Sequence, residues 1–114
     1  MRVLLAFEEE YRVYMEALAG AIRAFRSEVE VVVVDSEDLE AEVERSDPQL
    51  VILNYPAPNN PVDDQPSRIE LSADPDQPSR FRVGERSWES TNPTLGEILP
   101  VIEETKRMFR TSQE

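Results

Sequence analysis

The sequence predicts an α/β domain on a doubly wound parallel sheet of about five strands, with its fourth helix short or missing. Three observations predict it. Short, continuous apolar runs recur in the first half. Between them the apolar period changes from near-continuous to helical. The first half thus reads strand, helix, strand, helix, strand, the alternation that implies parallel strands.

Val3-Leu4-Leu5-Ala6-Phe7 is the first run, and unbroken runs of this kind suit strands covered on both faces. From Tyr11 to Arg26, Tyr14, Leu18, Ala21, Ile22 and Phe25 recur at helical spacing with charged residues between them, predicting a helix with that stripe inward. Val29 to Val34 is five valines interrupted only by Glu30, a second strand by its β-branched content. Asp35 or Ser36 is placed to cap a short helix whose Leu39 and Val43 face the core, and Asp47-Pro48 ends it. Leu50-Val51-Ile52-Leu53 is the third strand. Strand and helix alternating in this way imply right-handed crossovers, and put the functional crevice beyond the carboxyl ends of the strands. That edge carries Glu8-Glu9-Glu10, Asp35 and Asn54.

The second half is less regular. Six of the nine prolines lie between Pro56 and Pro78, which breaks any long element there. Ile69-Glu70-Leu71 reads as a fourth strand, Asp74 to Ser79 as loop, and Arg80 to Thr91 as an ambiguous stretch ending in a fifth strand around Trp88. Thr94 and Glu97 have capping-box spacing. Leu95, Ile98, Leu99, Ile102 and Phe109 then predict a final helix, which either kinks at Pro100 or begins there.

Composition narrows the function. The chain has 114 residues, enough for a single domain spanning 1–114. Its net charge of −12 opposes nucleic acid and anionic membranes as partners, and favours a basic protein surface. Histidine and cysteine are both absent, which removes the commonest general base, the thiol nucleophile and the thiolate metal site together. No signal-peptide pattern opens the chain and no apolar run approaches a membrane span, so a cytoplasmic protein is expected.

The order of elements and five local signatures resemble the receiver (CheY-like) domain of bacterial response regulators in two-component signal transduction. Leu4-Leu5-Ala6-Phe7-Glu8-Glu9 is similar to the first strand with its acidic pair, although extra residues before Tyr14 leave Glu8/Glu9 and Glu9/Glu10 both open as the match. Tyr14-Met15-Glu16-Ala17-Leu18 resembles the first helix of the family. Asn54 falls where receivers carry the phospho-accepting aspartate, with Pro58 four residues on. Leu71-Ser72-Ala73 is similar to the Ser/Thr-Ala end of the fourth strand, and Asn92-Pro93 to the Lys-Pro step before the last helix.

What the resemblance implies is a pseudo-receiver: a non-catalytic signalling module acting through protein–protein interaction, with no cofactor. Its degenerate pocket comprises Glu8, Glu9, Asn54, Ser72 and Asn92, and holds no catalytic residue and no metal. An amide cannot form the acyl phosphate, Asn92 brings no positive charge, and glutamates place their oxygens differently from aspartates around Mg²⁺. The partner is a protein of unspecified identity. A homodimer through the family's usual face is a further option, although that face is the most altered here. No output domain is expected, since the chain ends soon after Phe109.

Plainer readings stand beside these. Glu8, Glu9 and Glu10 equally describe a solvated first helical turn. Asn54 and Asn92 both suit turns, and Ser72 suits a strand end. Asp63-Asp64 fits a solvated loop, and Trp88 fits the core as well as a surface shared with Tyr55. Two other functions remain open. One is an active, divergent receiver in which Glu8–Glu10 and Asp35 bind Mg²⁺ and Asp63 or Asp64 accepts phosphate. The other is a small flavodoxin-like ligand-binding domain, against which stands the lack of a glycine-rich loop after the first strand.

Overall fold

The computed structural model of the chain describes residues 1–54, 67–72, 74 and 76–113, with residues 109–113 described by backbone alone. The described residues form six strands and three helices. In order these are β1 (Arg2–Phe7), α1 (Arg12–Phe25), β2 (Glu30–Asp35), α2 (Leu39–Ser46), β3 (Leu50–Leu53), β4 (Ser67–Glu70), β5 (Pro78–Val83), β6 (Arg86–Thr91) and α3 (Leu95–Gln113). Single 3-10 turns, Glu9–Tyr11 and Ser36–Asp38, lead into α1 and α2.

One sheet contains all six strands in the order β2-β1-β3-β4-β5-β6. The first four are mutually parallel. The run into β2 and back past β1 to β3 reverses direction, and with right-handed crossovers that reversal places α1 and α2 on opposite faces. The side chains follow. Val3, Leu5 and Phe7 of β1 pack with Met15, Leu18, Ala19 and Ile22 of α1 and with Ile98, Val101 and Ile102 of α3. Leu4 and Ala6 pack on the other face with Leu39 and Val43 of α2 and with Val51 and Leu53 of β3. Burial on both faces is why these strands read as continuous apolar runs.

The sheet is therefore α/β and mostly parallel, and its beginning, β2-β1-β3-β4, is compatible with a flavodoxin-like order. The expectation of an all-parallel sheet of five strands does not hold. β5 runs antiparallel to β4, and β6 antiparallel to β5. Pairing of Val83 with Arg86 leaves a two-residue turn, Gly84-Glu85. Gly84 has φ +59 and Glu85 does not have a positive φ, the pattern of a type II′ hairpin turn. No helix lies between β4 and β6 among the described residues, because seven residues between antiparallel neighbours need no crossover.

Several local expectations shift. The buried stripe of α1 is Met15, Leu18, Ala19 and Ile22, an i, i+3, i+4, i+7 set, while Tyr14 and Phe25 are exposed. Neither Asp35 nor Asp38, the residues preceding the 3-10 turn and α2, makes a side-chain cap; the Asp35 carboxylate pairs instead with Arg12 at 3.1 Å. β4 begins two residues earlier than read, at Ser67, and Leu71 is buried just beyond it. α3 begins at Leu95 and runs through Pro100, so the proline loses one bond near the helix start rather than defining it. The glutamate half of the capping box is formed: the Thr94 N–H donates to Glu97 Oε2 at 2.8 Å, and the Ser90 hydroxyl donates to Oε1 at 2.6 Å. These bonds hold the Glu97 carboxyl below its ordinary range, the Ser90 hydroxyl contributing most. Among the described residues, no helix is long and apolar enough to cross a membrane.

Candidate functional site

The reversal of direction between β1 and β3 is the topological switch point of the sheet, where open α/β sheets bind ligands. Here the first residues beyond those two strands meet directly. The Glu8 backbone N–H donates to Oδ1 of Asn54 at 3.0 Å. Asn54 is 7% exposed, and its Nδ2 has no hydrogen-bond partner among the described residues. One half of the amide thus ties two strand ends together, and the other half is a buried donor left unmet.

Beside this tie lies a cavity of about 270 Å³, lined by Tyr11, Tyr14, Asn54, Leu71, Ser72, Ser79, Asn92 and Pro93. Three of the five residues singled out in the sequence, Asn54, Ser72 and Asn92, come together in it from the ends of β3, β4 and β6. Ser72 is held in a local turn: its hydroxyl donates to the Asp74 carbonyl at 2.9 Å and accepts the Asp74 N–H at 3.2 Å, while its own N–H donates to Ser79 Oγ at 2.9 Å. Asn92 has φ 49, a left-handed backbone that asparagine tolerates better than lysine. Among the described non-glycine residues it shares this with Asp47, and both precede a proline. The turn alone accounts for an asparagine at 92.

Glu8 and Glu9 are not drawn into the cavity by their carboxylates. Glu8, Glu9 and Glu10 are exposed, and Glu9–Tyr11 form the 3-10 turn before α1, so what the acidic segment supplies to the site is the Glu8 N–H. Among the described residues, no three acidic side chains converge as metal ligands. Asp63, Asp64 and Tyr55 lie outside the described residues. Trp88 sits away from the cavity lining: it stacks on Phe81 with ring centroids 5.3 Å apart, and the Arg86 guanidinium lies 4.6 Å from its ring centre.

The sequence reading missed Tyr11, Tyr14, Leu71, Ser79 and Pro93 as lining residues. A signal existed for Tyr14. It stands at the start of the helix that follows the crevice-forming strand end, and Phe7 packs against its ring at 5.9 Å. Ser79 carried no comparable signal, because it reaches the cavity only through the antiparallel hairpin.

Among the described residues, no side chain lining the cavity is charged at neutral pH. The arrangement offers aromatic and aliphatic walls, hydroxyls and amides. Asn54 and Asn92 each bring a neutral amide to it. Comparison of the chain with protein-family models, with curated proteins and with solved structures returns no match.

Proposed function

We propose that the chain is a non-catalytic, receiver-like signalling module that works by binding a protein partner, with Asn54 standing in the place of a phospho-acceptor. The observation that carries this reading is the Asn54 amide, buried at the switch point with its oxygen engaged by the Glu8 N–H. A side chain that ties β1 to β3 is a fixed part of the scaffold, and its amide has no nucleophilic oxygen to offer. The strongly acidic surface favours a basic partner face, and exposed Val13, Tyr14 and Phe25 on α1 supply apolar contacts.

The test is incubation with acetyl phosphate and Mg²⁺ followed by intact mass. The expected spectrum has no phosphoryl adduct, and a gain of one phosphoryl group overturns the reading. Asn54→Asp alone is also expected to stay unlabelled, because neither a cation at position 92 nor inward acidic side chains accompany it. Robust Mg²⁺-dependent labelling of that variant counts against the reading.

A further inference from the structure

We propose that the free edge of β2 docks an extended segment of a partner protein, which joins the sheet as a further strand beside residues 31–34 and carries basic residues at its ends. This rests on the protein-binding part of the reading above and names the form and charge of the partner.

β2 stands at one edge of the sheet, bonded to β1 alone among the described strands. The Glu30 N–H donates to the Met1 carbonyl at 3.0 Å. In a parallel ladder a residue turns its N–H and C=O to the same side, and the next residue turns both to the other. Glu30, Val32 and Val34 therefore address β1, while Val31 and Val33 present their backbone groups outward. Among the described residues, the partner of these outward groups is Arg23, whose guanidinium donates to the Val31 carbonyl at 3.1 Å. An exposed side chain of α1 thus stands where an N–H of an added strand would sit.

The side chains suit such a strand. Val31 and Val33 pack partly against the core under α1 and α3, and Val32 and Val34 partly against the core under α2. None of them is fully buried, whereas Val3, Leu4, Leu5 and Ala6 on the neighbouring β1 have no exposure. A strand on the open side would cover both faces of this flank, and cross-strand pairs of β-branched residues stabilise a sheet in this way. Exposed edges are ordinarily blunted by charge. The other edge, β6, follows that rule: Arg86 pairs with Glu104, and Glu89 with Arg80. No charge interrupts residues 31–34. On an edge of this kind the backbone bonds supply affinity and the side chains supply selectivity.

Charge selects the occupant. Glu28, Glu30, Asp35, Glu37, Asp38 and Glu40 flank the valines, and no lysine or arginine falls between residues 28 and 40. Glu28, Glu30 and Asp35 are met by Lys106, Arg2 and Arg12. Glu37, Asp38 and Glu40 are exposed, and no base pairs with them among the described residues. A second copy would bring the same acidic stretch to the same edge, and two chains of net charge −12 repel each other. A strand with lysine or arginine beyond its apolar centre is attracted instead.

The experiment uses the full chain labelled with ¹⁵N. The probe is an acetylated, amidated peptide whose centre alternates valine and threonine and whose ends are lysine pairs. Its controls carry glutamate in place of lysine, or methyl groups on alternate backbone nitrogens, in one version for each edge of the peptide. The lysine peptide should give saturable shifts of the Val31 and Val33 amides. The glutamate peptide, and the version methylated on the pairing edge, should bind about tenfold more weakly or worse. Val33→Pro removes an outward N–H without touching the β1 ladder, where edge strands accept proline, and should weaken binding to a similar degree. If that variant does not fold, the methylated peptides on the unaltered chain carry the test. Silence of both amides with the lysine peptide, or equal binding of all the peptides, overturns the proposal. So do shifts of Val31 and Val33 that grow with the concentration of the chain alone, which would put a second copy on the edge. The failures separate. A silent β2 without phosphorylation by acetyl phosphate sinks the strand partner and leaves the non-catalytic reading standing. A phosphoryl gain with a β2 that binds the lysine peptide sinks that reading and leaves the docking edge.

Discussion

The parallel half of the sheet, β2-β1-β3-β4, and its antiparallel half, β5-β6, are built on different principles. The core strands of the parallel half are covered twice. α1 and α3 lie on one face and α2 on the other, so Val3 to Phe7 and Leu50 to Leu53 are buried without a break. Among the described residues, the hairpin is covered once. Ser79, Phe81 and Val83 face the core shared with α3, while Arg80 and Arg82 alternate to the other side. On that side Arg80 pairs with Glu89 at 3.8 Å, and on the adjoining β4 Arg68 pairs with Glu70 at 3.4 Å. The lesson is that a strand's periodicity reports how many of its faces are covered, and only indirectly whether its neighbour is parallel.

The sharpest way to break this comparison is to ask whether the hairpin belongs to the same core. Phe81→Ala should cost about 3–5 kcal/mol and Ile52→Ala about 2–5 kcal/mol, since both side chains are essentially fully buried in one continuous cluster. Denaturant unfolding would measure both. A Phe81 variant that loses far less than the Ile52 variant would mean that the hairpin is an appendage.

Next in size is the turn. Gly84 has φ +59, and a Cβ there would stand 3.0 Å from Cε of Met108. Gly84→Ala should therefore cost about 1–2 kcal/mol from the left-handed backbone alone. Unchanged stability would show that the turn relaxes freely and does not fix the register of β5 on β6.

A smaller effect is expected at Arg86, whose guanidinium covers Trp88 and pairs with Glu104 of α3. Arg86→Ala should cost about 0.5–1 kcal/mol and alter the Trp88 emission, because the cation is exposed and its ring contact is partly solvated. Unaltered emission would mean that Arg86 does not rest on the ring in solution.

The acid limb offers the finest comparison. In α2 of the parallel half, buried Glu42 is held below its ordinary carboxyl value of 4.5, first by its bond from Arg45 and then by the Ser46 hydroxyl. A carboxyl whose folded pKa is depressed contributes stability that is complete above the unfolded value and is lost as pH falls through the folded one. The chain should therefore lose stability below about pH 4.5, and Glu42→Gln should flatten that limb when Tm is followed into acid. An unchanged limb would place the acid-sensitive groups elsewhere.

Much of the parallel half was legible because both of its signals are local: unbroken apolar runs for covered strands, and i, i+3, i+4 spacing for helices. The misassigned stripe of α1 shows the limit. Tyr14 and Phe25 are apolar enough to join a helical pattern, but Met15 and Ala19 are the residues turned to the sheet. The hairpin was legible in principle, since Ser79-Arg80-Phe81-Arg82-Val83 alternates and Gly84 opens the turn. Its direction was not, because antiparallel pairing with β4 depends on the neighbour.

The sequence by itself determined the α/β class, the first three strands and two helices, the exclusion of thiol and imidazole chemistry, and the concentration of polar residues at the strand ends. Those follow from residue chemistry and short-range spacing. Tertiary structure alone decided that Asn54 bonds to Glu8 across 46 residues, that the glutamates stay in solvent, and that Tyr14 and Ser79 reach one cavity. Such pairings join elements whose separation along the chain carries no local signal, and they exist only once the strands have been laid side by side.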